Sequence, residues 1–386
     1  MRNNTYTLDE ILQQPALWNE VYNLIDQNKE FIIDFFNSLT INNTDVVFTG
    51  AGSSFFVGET VAPIFQKDSG FSSKAVSTTE IVTNPQYYIN NKRFTLLVSF
   101  ARSGNSPESV AAIQLANQVS DNIKHIIITC NKDGKLAGLA NFENVLVLVL
   151  PEKSNDKSLA MTSSFTSMVL VAILIGRINK LNKEKEKIFL ASKSVKEFIN
   201  NYTEKIKELV KIDYERAIFL GSGPLVGIAR ESHLKLQELT DGKIIAKFDS
   251  FLGFRHGPKA VVNNKTLMVY IFSNDNYIRK YEYDLVASIK KVQDPVLSIG
   301  VFNTPISETI ENELDSCLSI KSDDQPIDEA YWTIVSMAAI QLFATYKSMA
   351  TGLNPDSPST SGAIHRVVQG VNIYEFSNHT KQINQY

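Results

Sequence analysis

Val46-Val-Phe-Thr-Gly-Ala-Gly-Ser-Ser54 returns later in the chain as Ala217-Ile-Phe-Leu-Gly-Ser-Gly-Pro224, with Gly50 and Gly221 separated by 171 residues. An apolar run that ends in a glycine turn and enters a helical pattern is one βα unit, and its return at a long interval marks a repeat. Other β-rich runs keep nearly the same offset: 96–100 with 267–272, 125–129 with 296–301, and 145–150 with the weaker 317–320. These runs are short, apolar on both parities and separated by helical patterns such as 55–66 and 109–119. Strands of that kind belong to a parallel sheet covered on both faces, so the fold class is α/β, with two copies of one domain.

Working outward, a helical lead occupies roughly 8–39, and each copy closes with a helix of small and apolar residues, at 165–178 and 330–349. The Lys/Glu-rich stretch 179–211 between the copies reads as a long amphipathic helix with a solvated face. The expected division is a lead at 1–40, a first domain at 41–200, a second at 201–370 and a tail at 371–386.

The 386 residues suffice for two or three domains with ample core, and 44% apolar with 20% charged residues is ordinary globular composition. Lys plus Arg number 38 against 41 Asp plus Glu, a formal charge of -3, so no basic field exists to neutralise a nucleic-acid backbone. The longest apolar run, 168–176, is far shorter than the roughly 20 residues that cross a bilayer. The N-terminal MRNNTYTLDEILQQP has no apolar signal region. Cys130 and Cys317 stand alone, without a CxxC or a Cys/His cluster to hold zinc. The expectation is a cytoplasmic protein with no metal and no cofactor.

In open parallel sheets ligands bind beyond the carboxyl ends of the strands. Copy one offers three loops there. Gly50-Ala-Gly-Ser-Ser54 places Gly52 in a tight turn and Ser53 and Ser54 at a helix start, a pattern that ordinary strand-to-helix turns also use. Ala101-Arg-Ser-Gly-Asn-Ser-Pro-Glu108 says more. Ser106 and Pro107 open a helix whose free amides face a loop carrying Arg102 and Ser103, and amides, hydroxyls and a guanidinium are what a phosphate monoester requires. The third loop, Met161-Thr-Ser-Ser-Phe-Thr166, adds Ser163 at a helix start, as a cap or as the rest of a phosphate cup.

Copy two lacks the cup: Ser273-Asn-Asp-Asn-Tyr277 puts Asp275 where it would repel a phosphate. The helix after Pro224 has a core stripe of Leu225, Ile228, Ala229, Leu236 and Leu239, while Glu231, Lys235 and Glu238 share another face. A surface ion-pair ladder is the plain reading of that spacing. The next segment, Phe251-Leu-Gly-Phe-Arg-His-Gly-Pro258, adds His256 and Arg255, and a histidine with a carboxylate and a lysine nearby is suited to acid/base work. No Gly-x-Ser-x-Gly elbow or GKS/GKT loop supports a hydrolase or NTPase reading.

These motifs resemble double sugar isomerase (SIS) domain proteins over about residues 40–370. Gly50–Ser54, Ser103-Gly-Asn-Ser106 and Thr162-Ser-Ser-Phe-Thr166 are similar to that family's phospho-sugar loops, and Lys235-Leu-Gln-Glu-Leu239 with Phe254-Arg-His-Gly-Pro258 to the catalytic segment of the isomerase half of glucosamine-6-phosphate synthase. The lead and the tail 354–370 resemble the galactosamine-6-phosphate deaminase/isomerase group, also labelled tagatose-6-phosphate ketose/aldose isomerases. The resemblance implies two flavodoxin-like three-layer sandwiches and a small-molecule sugar-phosphate substrate. It implies a Glu238 that shuttles a proton between C1 and C2, with Glu231 and Lys235 beside it. His256 would assist ring opening across the interface of a homodimer. The synthase's C-terminal catalytic lysine has no clear counterpart, and Arg366 is the nearest basic candidate. The function expected is deamination and isomerisation of galactosamine 6-phosphate to tagatose 6-phosphate and ammonia. A plain phospho-sugar isomerase and a non-catalytic sugar-phosphate sensor are the alternatives.

Overall fold

A computed structural model describes residues 5–320, 326–368 and 370–377. The lead is two helices, α1 (Tyr6–Gln27) and α2 (Lys29–Asn37), separated at Asn28. Thr5 starts α1 by accepting from the Leu8 amide, the N-cap role of a threonine. The first domain then runs β1 (Thr44–Gly50), α3 (Ser53–Ser69), β2 (Ser72–Ser77), α4 (Thr78–Thr83), α5 (Pro85–Tyr88), β3 (Phe94–Ala101), α6 (Pro107–Val119), β4 (Ile123–Thr129), β5 (Val145–Val149) and α7 (Ser163–Gly176). Helix α8 (Glu184–Leu209) follows. The second domain runs β6 (Arg216–Gly221), α9 (Leu225–Leu239), β7 (Ile245–Ser250), α10 (Phe251–Phe254), β8 (Thr266–Ile271), α11 (Asn276–Val292), β9 (Leu297–Phe302), α12 (Glu308–Glu311), β10 (Ser316–Ser319) and α13 (Glu329–Ala350).

Both sheets are parallel, with strand orders β2-β1-β3-β4-β5 and β10-β9-β8-β6-β7, which are one topology used twice. Two tandem α/β domains of one topology are therefore present. Each sheet has one strand more than the repeat predicts: β2 (SSKAVS) and β7 (IAKFDS) lie at the edges. Their alternating, partly exposed residues do not form the continuous apolar run of an inner strand.

Alternation along the inner strands splits the core. Val46, Phe48, Leu96, Val98, Ala217, Phe219, Leu267 and Val269 face a shared interior, whereas Val47, Leu97 and Ile127, and separately Ile218, Met268 and Tyr270, pack on the outer faces. The shared interior is filled by α1, α3, α7, α8, α9 and α13. There α3 of copy one lies against α9 of copy two. A Cβ at Gly227 would come within 2.6 Å of the Thr60 backbone nitrogen, so this crossing requires glycine. Ser53 meets Glu231 while Thr60 meets Gly227, so the two helices run in opposite directions and the end of α9 reaches past the start of α3. The close crossing carries copy-two residues to the loops of copy one. No single helix among the described residues is long and apolar enough to cross a membrane.

Candidate active site

Loop one turns at Gly52, whose φ of +55° is a left-handed conformation that favours glycine. This aims Ser53 across the domain boundary, where its Oγ donates to Glu231 Oε1 at 2.9 Å. Lys235 Nζ lies 3.3 Å from that same oxygen and donates to Glu238 Oε2 at 2.6 Å. Ser53, Glu231, Lys235 and Glu238 thus form one polar chain from the glycine turn of copy one to the end of α9. It is not a surface ladder: Glu231 and Lys235 are fully buried, and Glu238 alone keeps 23% of its side chain exposed.

Burial pushes the Glu231 carboxyl up to about 7, with Lys235 opposing and Glu238 adding to the rise. Burial works against the Lys235 charge, but Glu231 and Glu238 outweigh it and hold its pKa above the usual lysine value. Lys235 is therefore a buried cation that holds Glu238, and Glu238 is the carboxylate of this chain that reaches solvent.

Loop two is braced from behind. Asn131 Nδ2 donates to the Ser103 carbonyl at 2.9 Å, the Leu136 amide to the Gly104 carbonyl, and the Lys135 amide to Asn105 Oδ1. Ser106 occupies the N-cap of α6 without capping it; its hydroxyl pairs with Ser109 Oγ at 2.6 Å. The amino end of α6 is thereby left without a side-chain cap, an anion-binding arrangement beside Ser103.

Other expected residues stand elsewhere. Ser54 Oγ contacts Met161 Sδ at 3.7 Å. Ser163 Oγ donates to the Glu10 carbonyl at 2.6 Å and accepts from Gln13 Nε2, so it serves α1. The start of α7 is occupied by Asp156, which sequence reasoning missed. Its carboxylate accepts from the amides of Thr162, Ser163 and Ser164 and from the hydroxyls of Thr162 and Ser164. Arg102 donates to the carbonyls of Ser158, Leu159, Ala160 and Arg366, and Arg366 donates to Asn155 and Asp156. Burial lowers the pKa of Arg102, with the charges of Asp156, Arg366 and Glu238 as lesser influences. His256 is exposed on the loop after α10, and the side-chain partner of Glu238 within this chain is Lys235. Among the described residues no group of three or more His, Cys, Asp or Glu side chains is arranged to hold a metal.

A cavity of about 620 Å³ opens elsewhere, around Arg177. That guanidinium is paired with Asp68, Glu184 and Asp328, which makes it a brace rather than a reactive centre.

Fold and site define a tandem SIS-domain protein, and the SIS domain model matches residues 40–175. The chain is 36% identical to a protein named D-galactosamine-6-phosphate deaminase AgaS from Escherichia coli, covering 96% of each chain. It is 35% identical to a protein of that name from Shewanella sp. (strain ANA-3), over 96% of this chain and 92% of that one. Its structure matches the crystal structure of tagatose-6-phosphate ketose/aldose isomerase from Escherichia coli with a TM-score of 0.88 and 34% identity, over 97% and 98% of the chains. The chain belongs to this SIS-domain family of AgaS proteins and is an enzyme.

Proposed function

We propose that the chain is a D-galactosamine-6-phosphate deaminase/isomerase that releases ammonia and forms tagatose 6-phosphate. The names of its full-length relatives support the substrate, and the Ser53–Glu231–Lys235–Glu238 chain carries the mechanism. The phosphate sits on the amino end of α6 with Ser103 and Ser106, beside Gly52 and Ser53, and the open-chain sugar extends toward Glu238. Glu238 takes the proton from C2; the C2–H electron pair forms a C1=C2 double bond and the aldehyde oxygen is protonated. Return of the proton to C1 leaves a ketone-level imine at C2. Water adds to that carbon and the C–N bond breaks, giving the ketose phosphate and ammonia. One positioned carboxylate performs both proton transfers, and the buried Lys235 holds it in place and supports its charge.

In this reading the enzyme is a homodimer, since the exposed His256 must come from a partner copy to assist ring opening. Two free cysteines support a cytoplasmic setting. The test is a coupled ammonia assay across galactosamine, glucosamine and mannosamine 6-phosphates. Ammonia from the first substrate, abolished in Glu238→Gln, is the expected result; ketose formation from aldose phosphates without ammonia would instead favour plain isomerisation.

A further inference from the structure

Arg102 is the strongest cation of loop two, but the structure spends it on backbone carbonyls. Its Nη1 donates to Ser158 at 3.3 Å, Leu159 at 3.0 Å and Ala160 at 3.3 Å, and its Nη2 donates to Arg366 at 2.7 Å. Arg366 grips the same segment from the other side: its Nε donates to the Asp156 carbonyl at 2.8 Å and its Nη2 to Asn155 Oδ1 at 2.7 Å.

These bonds hold a strap. Asp356 accepts from the amides of Tyr6 and Thr7 at 3.0 and 2.8 Å, and its carbonyl accepts from the Leu159 amide. Thr360 donates through its amide and hydroxyl to Asp241, at 3.1 and 2.7 Å, and the Asp241 amide is bonded to the Glu238 carbonyl. Residues 356–366 therefore pass from the start of α1, by the end of the helix that carries Glu238, to the phosphate loop. Arg102 is where the strap meets that loop.

We propose that Arg102 is a positioning residue that latches this strap across the substrate site, and that it is not the phosphate ligand its place in the loop suggests. The inference rests on the sugar-phosphate reading of the site, but the latch itself is observable without substrate. A latch needs the planar fork of guanidinium donors spread over four carbonyls. A phosphate ligand instead aims its paired donors at the anion, so changing it weakens the phosphate shift and leaves the strap protected. Arg102→Lys separates the two.

The decisive comparison is amide hydrogen exchange over 356–366 in the wild type, Arg102→Lys, Arg102→Ala and Arg366→Ala, with the shift in melting temperature produced by inorganic phosphate as the second readout. The latch predicts at least tenfold faster exchange over 356–366 in Arg102→Lys and Arg102→Ala alike, with the phosphate shift kept in Arg102→Lys. It also predicts that kcat falls about tenfold in Arg102→Lys while KM moves less than threefold. Arg366→Ala, which leaves loop two intact, should speed exchange to a similar degree and serves if Arg102→Ala fails to fold. Unchanged exchange in Arg102→Lys overturns the proposal, and so does a phosphate shift lost in that variant. A wild type that phosphate does not stabilise contradicts the cup reading instead, while exchange still decides the latch.

Discussion

The two halves of the molecule build the same sheet in the same strand order, and at the matching loops they do opposite things. In copy one the helix after the third strand begins without a side-chain cap, because Ser106 turns to Ser109. In copy two Asp275 caps the matching helix through the amides of Tyr277 and Ile278, Glu282 accepts from the Ser273 amide, and Glu329 accepts from Ser273 Oγ and the Asn274 amide. Copy two has filled its cup with its own carboxylates. Burial pushes Glu282 up to about 7 and raises Glu329 too, as expected of anions packed into a dry site. In exchange copy two sends α9 across the boundary with the buried lysine and the partly exposed carboxylate. The repeat shows that a fold supplies positions, while the residues placed on them supply function.

Four changes break or sharpen this contrast. The largest effect belongs to Glu238→Gln, which removes the proton carrier and should cost about a thousandfold in kcat for ammonia release. Stabilisation by inorganic phosphate should persist in that variant. Lys235→Met comes next. It leaves Glu231 with no cation in a buried site, and unfolding in urea should show a loss of about 3–5 kcal/mol. Ser106→Asp makes loop two of copy one imitate copy two. The new carboxylate should cap α6 and repel phosphate, raising KM about a hundredfold while folding stability stays level or gains up to about 2 kcal/mol.

The smallest effect comes from Glu282→Gln, read as the pH dependence of urea unfolding. Glu282 has an ordinary value of 4.5 and a folded value of about 7, so between these the folded state holds the extra proton. Its contribution to stability is fully present below about 4.5 and is lost as pH rises through about 7. The glutamine variant should therefore show a shallower decline across that window, by on the order of 1 kcal/mol. An unchanged slope would mean that the copy-two cup is not the dry, carboxylate-filled site described.

Much of this contrast is legible in the chain. The inner strands are continuous apolar runs, so both copies and their sheet class can be read directly, and the glycine turns mark where ligands belong. The edge strands β2 and β7 escape because one face of each meets solvent. The spacing of Glu231, Lys235 and Glu238 puts them on one face of a helix, but spacing cannot tell a wet face from a buried one; that depends on α3 packing against α9 at Gly227. Asp156 escapes because it caps α7 from six to eight residues upstream, outside the short range of a capping motif. Arg102 is legible as a cation in a phosphate loop, but its acceptors are main-chain carbonyls far along the chain, and no side-chain pattern announces them.

The division of labour between the halves is tested most directly by a crystal structure of Glu238→Gln with galactosamine 6-phosphate. The phosphate should rest on the amino end of α6 beside Ser103 and Ser106, with C1 and C2 about 3–3.5 Å from the side chain at 238. A phosphate seated at Ser273–Asn276, or a sugar whose C1 and C2 lie away from residue 238 in every copy, would contradict it.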